Sequence, residues 1–332
     1  MKLLKKYVVL LVLLLASSIV LADPLVVYSA RKEHLIKPLF DVYTKNTGVE
    51  IQYITDKAGP LLARMKAEGQ NTRADILMTV DAGNLWYAAE QGVLAPISSS
   101  KLEANVPAHL RDDLGRWFGL SVRARTIVYS TDRVKPGELS SYQALAEPQW
   151  KGRLCLRTSK KIYNQSLVAM MVERLGEAEA EKTVRGWVDN LAVPPFSNDT
   201  KTMQAIADGQ CDVGIVNTYY FGRLQKKTPG IKLALYWPDQ QAKGVHINIS
   251  GAGISKYSKQ KQQAQQLLEW LSSPEAQQIF AGLNMEYPVN PAVDADAVVT
   301  AWGDFKADDT PITIAGQRQA QAVMLMDRAG YR

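Results

Sequence analysis

The 332-residue sequence is poor in the groups that hydrolytic and redox enzymes use. It has three histidines, His34, His109 and His246, far apart in the chain, and two cysteines, Cys155 and Cys211. It contains no Gly-x-Ser-x-Gly elbow, His-Glu-x-x-His pair, phosphate-binding glycine loop or Cys-x-x-Cys. A serine nucleophile needs an oriented base, and none is recognisable. These absences set aside the common hydrolase, metalloprotease, nucleotide-binding and thioredoxin-type chemistries. There is no internal repeat, no low-complexity tract and, beyond residue 22, no apolar run long enough to span a bilayer. A nucleic-acid footprint is missing too. Lys2, Lys5 and Lys6 supply half of the formal charge of +6, and without them it is about +3 with no basic stripe.

What is present begins with those lysines. A basic start, an apolar run over residues 8–16 and Val20-Leu21-Ala22 before Asp23 form a secretory signal peptide over residues 1–22, cleaved after Ala22. No lipobox cysteine follows, so the mature chain is expected to be exported without a lipid anchor. An oxidising compartment makes a Cys155–Cys211 disulfide the first expectation, with two buried free thiols as the alternative.

The mature chain of about 310 residues suits two domains. Residues 24–29 read as a buried strand, followed by a polar turn and a helix with Leu35, Leu39, Phe40 and Tyr43 on one face. Gly48 stops it, residues 49–55 form a second strand, Gly59-Pro60 opens a second helix, and residues 74–80 form a third strand. Repeated β-α-β units of this kind predict an α/β fold with a mostly parallel sheet flanked by helices. Residues 117–131 form a long extended stretch that crosses between domains, and residues 245–250 form a return crossing. Between them a second α/β series runs through the strands at 153–157 and 211–216. Helices are expected over 260–271, 274–283 and 315–328, the last packing on the second domain. The expected division is residues 23–122 plus about 245–290 in an N-lobe and 123–244 plus about 291–332 in a C-lobe. Two lobes hinged by crossing strands favour closure around a ligand.

The chemistry-bearing stretch is Asn217-Thr218-Tyr219-Tyr220, which ends a buried strand. The carboxyl end of a strand is where α/β folds place ligands. Adjacent phenols there are either packing groups or hard oxygen donors for a highly charged cation. Tyr163 opens a helix after Ser159-Lys160-Lys161, whose amides suit an anion. Arg31, in the first strand-to-helix loop, and Arg123, in the crossing strand, carry forks suited to oxyanions. Asp81 ends the third strand as a candidate N-cap.

An ordered set of motifs over nearly the whole mature chain resembles the periplasmic ferric-ion-binding proteins of bacterial ABC iron importers, a class II solute-binding family. The motifs are Val-Tyr-Ser-Ala-Arg at 27–31, Val-Asp-Ala-Gly-Asn-Leu at 80–85, Arg-Ala-Arg-Thr-Ile-Val-Tyr at 123–129, Tyr-Asn-Gln-Ser-Leu at 163–167, Asn-Thr-Tyr-Tyr at 217–220 and His-Ile-Asn-Ile-Ser-Gly at 246–251. The resemblance implies a two-lobed hinged fold and a monomeric periplasmic carrier that delivers Fe(III), bare or chelated, to an inner-membrane permease. It implies Tyr163, Tyr219 and Tyr220 as tyrosinate ligands, with Asp81, Ser159 and Asn217 behind them. One family branch has His-Tyr where this chain has Lys32-Glu33. Two completions stay open: Glu33 as a carboxylate ligand, or carbonate or another synergistic anion clamped by Arg31 and Arg123. Charge balance favours the anion. The competing readings are a metal-free binder of a small organic or phosphorylated anion, a metal-dependent hydrolase and a structural envelope protein.

Overall fold

A computed structural model describes residues 23–332, so the leader read over residues 1–22 lies outside the described residues. Among these, no helix is long and apolar enough to cross a membrane. The strands β1 (Leu25–Ser29), β2 (Ile51–Thr55) and β3 (Ile76–Val80) alternate with α1 (Lys37–Thr47), α2 (Ala58–Glu68) and α3 (Ala82–Glu90). α1 buries Leu39, Phe40 and Tyr43 and stops at Gly48, which adopts φ 75°. Glycine takes that left-handed cap without a Cβ penalty. β1 lies between β2 and β3, parallel to both, and α4 (Ser100–Asn105) follows.

The strand that holds the two halves together is β4 (Phe118–Ser130), buried along its whole length. Its first part pairs with β8 (Ile247–Ile254), running from Phe118 opposite Ala252 to Ala124 opposite Ile247. From Arg125 to Tyr129 its partner is β6 (Val213–Asn217), and β7 (Leu233–Tyr236) pairs with the end of β4 on the other side. β5 (Leu154–Cys155) lies parallel to β6. The strand order is β2-β1-β3-β8-β4-β6-β5, with β7 attached to β4. The sheet is therefore mixed, parallel in its outer strands and antiparallel where β4 and β8 carry the chain out and back. The strand expected over 153–157 is a two-residue β5, continued only by a bridge from Arg157 to Phe196.

The second half adds α5 (Ile162–Leu175), α6 (Glu177–Asp189), α7 (Asp199–Ala207) and α8 (Thr218–Lys227). The chain then returns through α9 (Lys261–Leu271), α10 (Pro274–Asn284) and α11 (Ala297–Thr300). One core gathers Leu25, Trp117, Phe118, Leu267 and Phe280, and a second gathers Trp150, Leu154, Trp187 and Leu325. Each fully buried side chain of this size contributes about 1.5–3 kcal/mol. A smaller cluster surrounds Cys155 and Cys211, which form a disulfide with Cα atoms 5.9 Å apart, as expected for exported chains.

The final helix differs from expectation. It breaks into α12 (Ile314–Gln317) and α13 (Gln319–Arg328) because the two pieces serve different surfaces. A Cβ on Gly316 would lie 2.6 Å from Trp86 Cγ, so the α12 backbone sits directly on the α3 indole. Meanwhile α13 buries Ala322, Leu325 and Met326 in the second core. Ile312, just before α12, is part of the first core, so the stretch expected to be wholly second-lobe serves both.

Candidate metal centre

Period-two alternation along β4 puts Ser121, Arg123 and Arg125 on one face, between Leu120, Val122 and Ala124. That polar row looks onto the amino ends of two helices. Tyr163 is the second residue of α5, and Tyr219 and Tyr220 occupy the first turn of α8. Neither helix has a side-chain N-cap. Their free amides and dipoles therefore leave partial positive charge beside the phenols. Arg125 fixes both helix starts from behind. Its Nε donates to Asn164 Oδ1 at 3.0 Å and its Nη1 to Asn217 Oδ1 and Asp199 Oδ2, both at 3.2 Å.

The three phenols converge. The Tyr219 and Tyr220 ring centres are 4.4 Å apart, Arg157 lies over both the Tyr163 and the Tyr220 rings, and Asn217 Nδ2 donates to the Tyr219 oxygen at 3.3 Å. Three guanidinium groups cover the rings. The Arg123 carbon lies 5.5 Å from the Tyr163 centre, Arg157 lies 5.2 Å from Tyr163, and Arg223 lies 5.3 Å from Tyr219 and 5.9 Å from Tyr220. Burial pushes the Tyr163 phenol up, against the pull of Arg123. Burial pushes Tyr219 well above the usual phenol range, and its neighbours Tyr163 and Tyr220 add to the effect. Both are neutral at pH 7, so a cation that takes them as ligands must displace their protons. Among the described residues no three His, Cys, Asp or Glu side chains converge as a metal site. Phenolates are thus the anionic donors this cleft offers, and they suit a hard trivalent ion.

Arg31 and Arg123 meet beside the phenols. Ser250 Oγ accepts from Arg31 Nη1 at 2.5 Å and from Arg123 Nη1 at 3.3 Å. Arg31 also pairs with Glu286 Oε2 at 3.0 Å and lies over the Phe280 ring. Arg31 Nε and Nη2 and Arg123 Nη2 are buried without a protein partner. An unmatched buried donor costs about 1–3 kcal/mol, and an oxyanion is the ligand these donors suit. Burial opposes ionisation of Glu286, but Arg31 and Arg123, with hydrogen bonds from Ser121 and Asn284, hold its carboxyl below the usual range.

Asp81 is the N-cap of α3, as its position suggests, in an unusual backbone conformation for a residue with a Cβ, φ 84°. It accepts from Gly83 N at 2.9 Å, Asn248 Nδ2 at 2.9 Å and Ser166 Oγ at 2.7 Å. Because Ser166 lies on α5, the last bond joins the two halves across the cleft. Burial raises the Asp81 carboxyl and Arg123 lowers it, with burial prevailing.

Two of the residues singled out from the sequence lie elsewhere. Glu33 is at the surface and its carboxylate accepts from the Tyr53 hydroxyl at 2.8 Å. Ser159 is beside the carboxyl terminus, its amide donating to Arg332 O. Conversely, sequence reasoning missed Arg157, Arg223 and Glu286. Arg223 follows Tyr219 by four residues and Tyr220 by three, the spacing that shares a helix face, so a signal was there. Glu286 lies 255 residues from Arg31, and no local pattern announces it.

A family model described as bacterial extracellular solute-binding protein matches residues 71–303. The chain belongs to this family. Among its relatives, iron uptake protein A1 of Synechocystis is 40% identical over 311 residues, covering 92% of this chain and 86% of that protein. Among solved structures, a Trichodesmium FutA protein in complex with iron and citrate ligands superposes with a TM-score of 0.90 at 43% identity, covering 93% of this chain and all of that one. The ferric binding protein from Campylobacter jejuni does so with a TM-score of 0.87 at 33% identity, over 93% and 100% of the two chains. The resemblance read from the motifs is borne out, and the two-lobed architecture of this solute-binding protein is that of its neighbours.

Proposed function

We propose that this solute-binding protein captures Fe(III) in the cleft between its lobes and delivers it to an inner-membrane ABC permease. Tyr163, Tyr219 and Tyr220 are the phenolate ligands, and an anion held by Arg31 and Arg123 completes the coordination. The observation that carries this reading is the meeting of three phenols at two helix amino ends, under three guanidinium groups. Three phenolates balance the charge of Fe(III). The arginines then call for an anion, carbonate or a chelator carboxylate, so that the closed cleft is not left cationic. On this reading the lobes comprise residues 23–122 plus about 245–290 and residues 123–244 plus about 291–332, with Ile312 serving the first core, and the site of action is the periplasm after removal of residues 1–22. Mg²⁺ and Ca²⁺ are too weak as Lewis acids to displace the phenol protons, so selectivity for Fe(III) follows.

The test is titration of the metal-free mature protein with ferric citrate, with and without bicarbonate, followed by visible absorption. A tyrosinate-to-iron charge-transfer band saturating at one iron per chain, and collapsing in Tyr219→Phe, is expected. Binding of a small organic anion with no coloured complex would establish the metal-free alternative instead.

A further inference from the structure

The end of α10 belongs with the first core, yet it touches the helix that carries the phenol pair. Arg223 Nη2, on α8, donates to Asn284 Oδ1. Asn284 Nδ2 donates to Glu286 Oε1 at 2.7 Å, while Glu286 Oε2 accepts from Arg31 Nη1 at 3.0 Å and Ser121 Oγ at 2.6 Å. Asn284, Glu286 and Arg31 are all buried. A continuous row of polar contacts therefore runs from the Tyr219 and Tyr220 rings, through Arg223 and across the cleft, to the arginine pair.

Two backbone features serve that row. Asn284 is the last residue of α10, and Met285 after it adopts φ 54°, turning the chain so that Glu286 meets the Asn284 amide. This left-handed conformation is disfavoured for any residue with a Cβ and persists only where the surroundings enforce it. Next to Arg223, a Cβ on Gly222 would lie 2.5 Å from Met285 Sδ and 2.8 Å from Trp302 Cζ2. Only glycine lets α8 approach closely enough for Arg223 to reach Asn284.

We propose that Arg223, Asn284 and Glu286 form a latch that couples the state of the phenol pair to lobe closure. Arg223 lies over both rings, 5.3 Å and 5.9 Å from their centres. A metal bound by Tyr219 and Tyr220 fixes their rings and with them the guanidinium that lies over both, which keeps its N–H directed at Asn284. When the metal leaves, that constraint weakens and the bond across the cleft loosens with it. Asn284 and Glu286 are positioning residues, acting on the metal only through Arg223. The loading step rests on the ferric reading above, whereas the contacts themselves need no metal.

Asn284→Ala removes the acceptor without altering any residue that touches the phenols. Mature protein carrying one iron is mixed with excess EDTA, and loss of the charge-transfer absorbance is followed. The variant should release iron at least about tenfold faster than wild type, the range expected for losing a hydrogen bond to a charged group. Band position and one-to-one stoichiometry should not change. X-ray scattering should give the metal-free variant a larger radius of gyration than metal-free wild type. Arg223→Gln severs the same bond from the other side and should also accelerate release, which keeps the test open if Asn284→Ala does not fold. Wild-type release rates and radii in the variants would overturn the latch while leaving the ferric reading intact. If wild type forms no coloured complex, the ferric reading falls, and equal radii then overturn the latch on their own.

Discussion

Glu286→Gln tests how the arginine side of the cleft is held together. The carboxylate is 2% exposed and accepts from Arg31 at 3.0 Å, Ser121 at 2.6 Å and Asn284 at 2.7 Å. Glutamine fills nearly the same space, but its amide nitrogen must face at least one of those donors, and Arg31 stays buried without a counter-ion. Removing one member of a buried ion pair costs about 3–5 kcal/mol. Arg31 keeps its bond to Ser250 and its contact with Phe280, so the lower end applies, about 3 kcal/mol or roughly a hundredfold in the folding equilibrium. Urea unfolding of the mature protein at pH 7 measures this, with an unchanged slope. The pH dependence follows from the sign of the shift. The folded carboxyl is held below its ordinary value of 4.5, so its stabilisation is complete above that pH and disappears as pH falls through the folded value. The gap between wild type and variant should therefore close in acid. Added bicarbonate or citrate should restore part of the variant's stability by binding the uncompensated arginines. A variant within about 1 kcal/mol of wild type at pH 7 would refute the reasoning, given the penalty expected for an unpaired buried charge. A gap still undiminished at low pH would do so too.

Three further expectations follow from the geometry. Because burial keeps the Tyr219 phenol neutral at pH 7, ferric loading of Tyr219→Phe should release one proton fewer than wild type in a weakly buffered dye titration, and affinity should fall as pH falls; an equal proton count would mean that Tyr219 is not a ligand. Replacing both Cys155 and Cys211 by serine opens a loop with a sequence separation of 56 and should lower unfolding stability by about 4 kcal/mol on the chain-entropy account, with reduced wild type behaving alike. Glu33→Gln should leave the iron titration unchanged, since that carboxylate serves the surface Tyr53 hydroxyl; a lost or shifted band would reinstate Glu33 as a ligand.

The elements that could be read from the sequence are those whose signal is local. The extended stretch over 117–131 was visible as an uninterrupted run and became β4, and Gly48 marked the end of α1 where it stands. The disulfide followed from compartment and count, and the phenol pair from its place at a strand end. What could not be read depends on contacts between distant segments. The break at Arg318 exists because Gly316 meets Trp86, and no residue near 318 signals a stop. Glu286 joins Arg31 only through the return of the chain, and Arg157 reaches Tyr163 because the short β5 is aimed by its neighbours. Glu33, which stands where one family branch has a tyrosine and was one of two open completions of the site, lies at the surface in the turn after Arg31, beside the Tyr53 hydroxyl.

The continuity of β4 bears on the order of events during loading. Both halves of the sheet hydrogen-bond to this one strand, so the lobes can part only by twisting or bending it together with β8. In any such rotation the travel of a group grows with its distance from the pivot. The pairing of β4 changes hands between Ala124 and Arg125, which leaves Arg123, and Ser250 beside it, on a very short lever arm. The anion clamp should thus be assembled whether the cleft is open or shut, and the anion should load first. In rapid mixing, protein preincubated with bicarbonate should take up iron faster than protein meeting both together, and identical traces would show that the clamp forms only on closure.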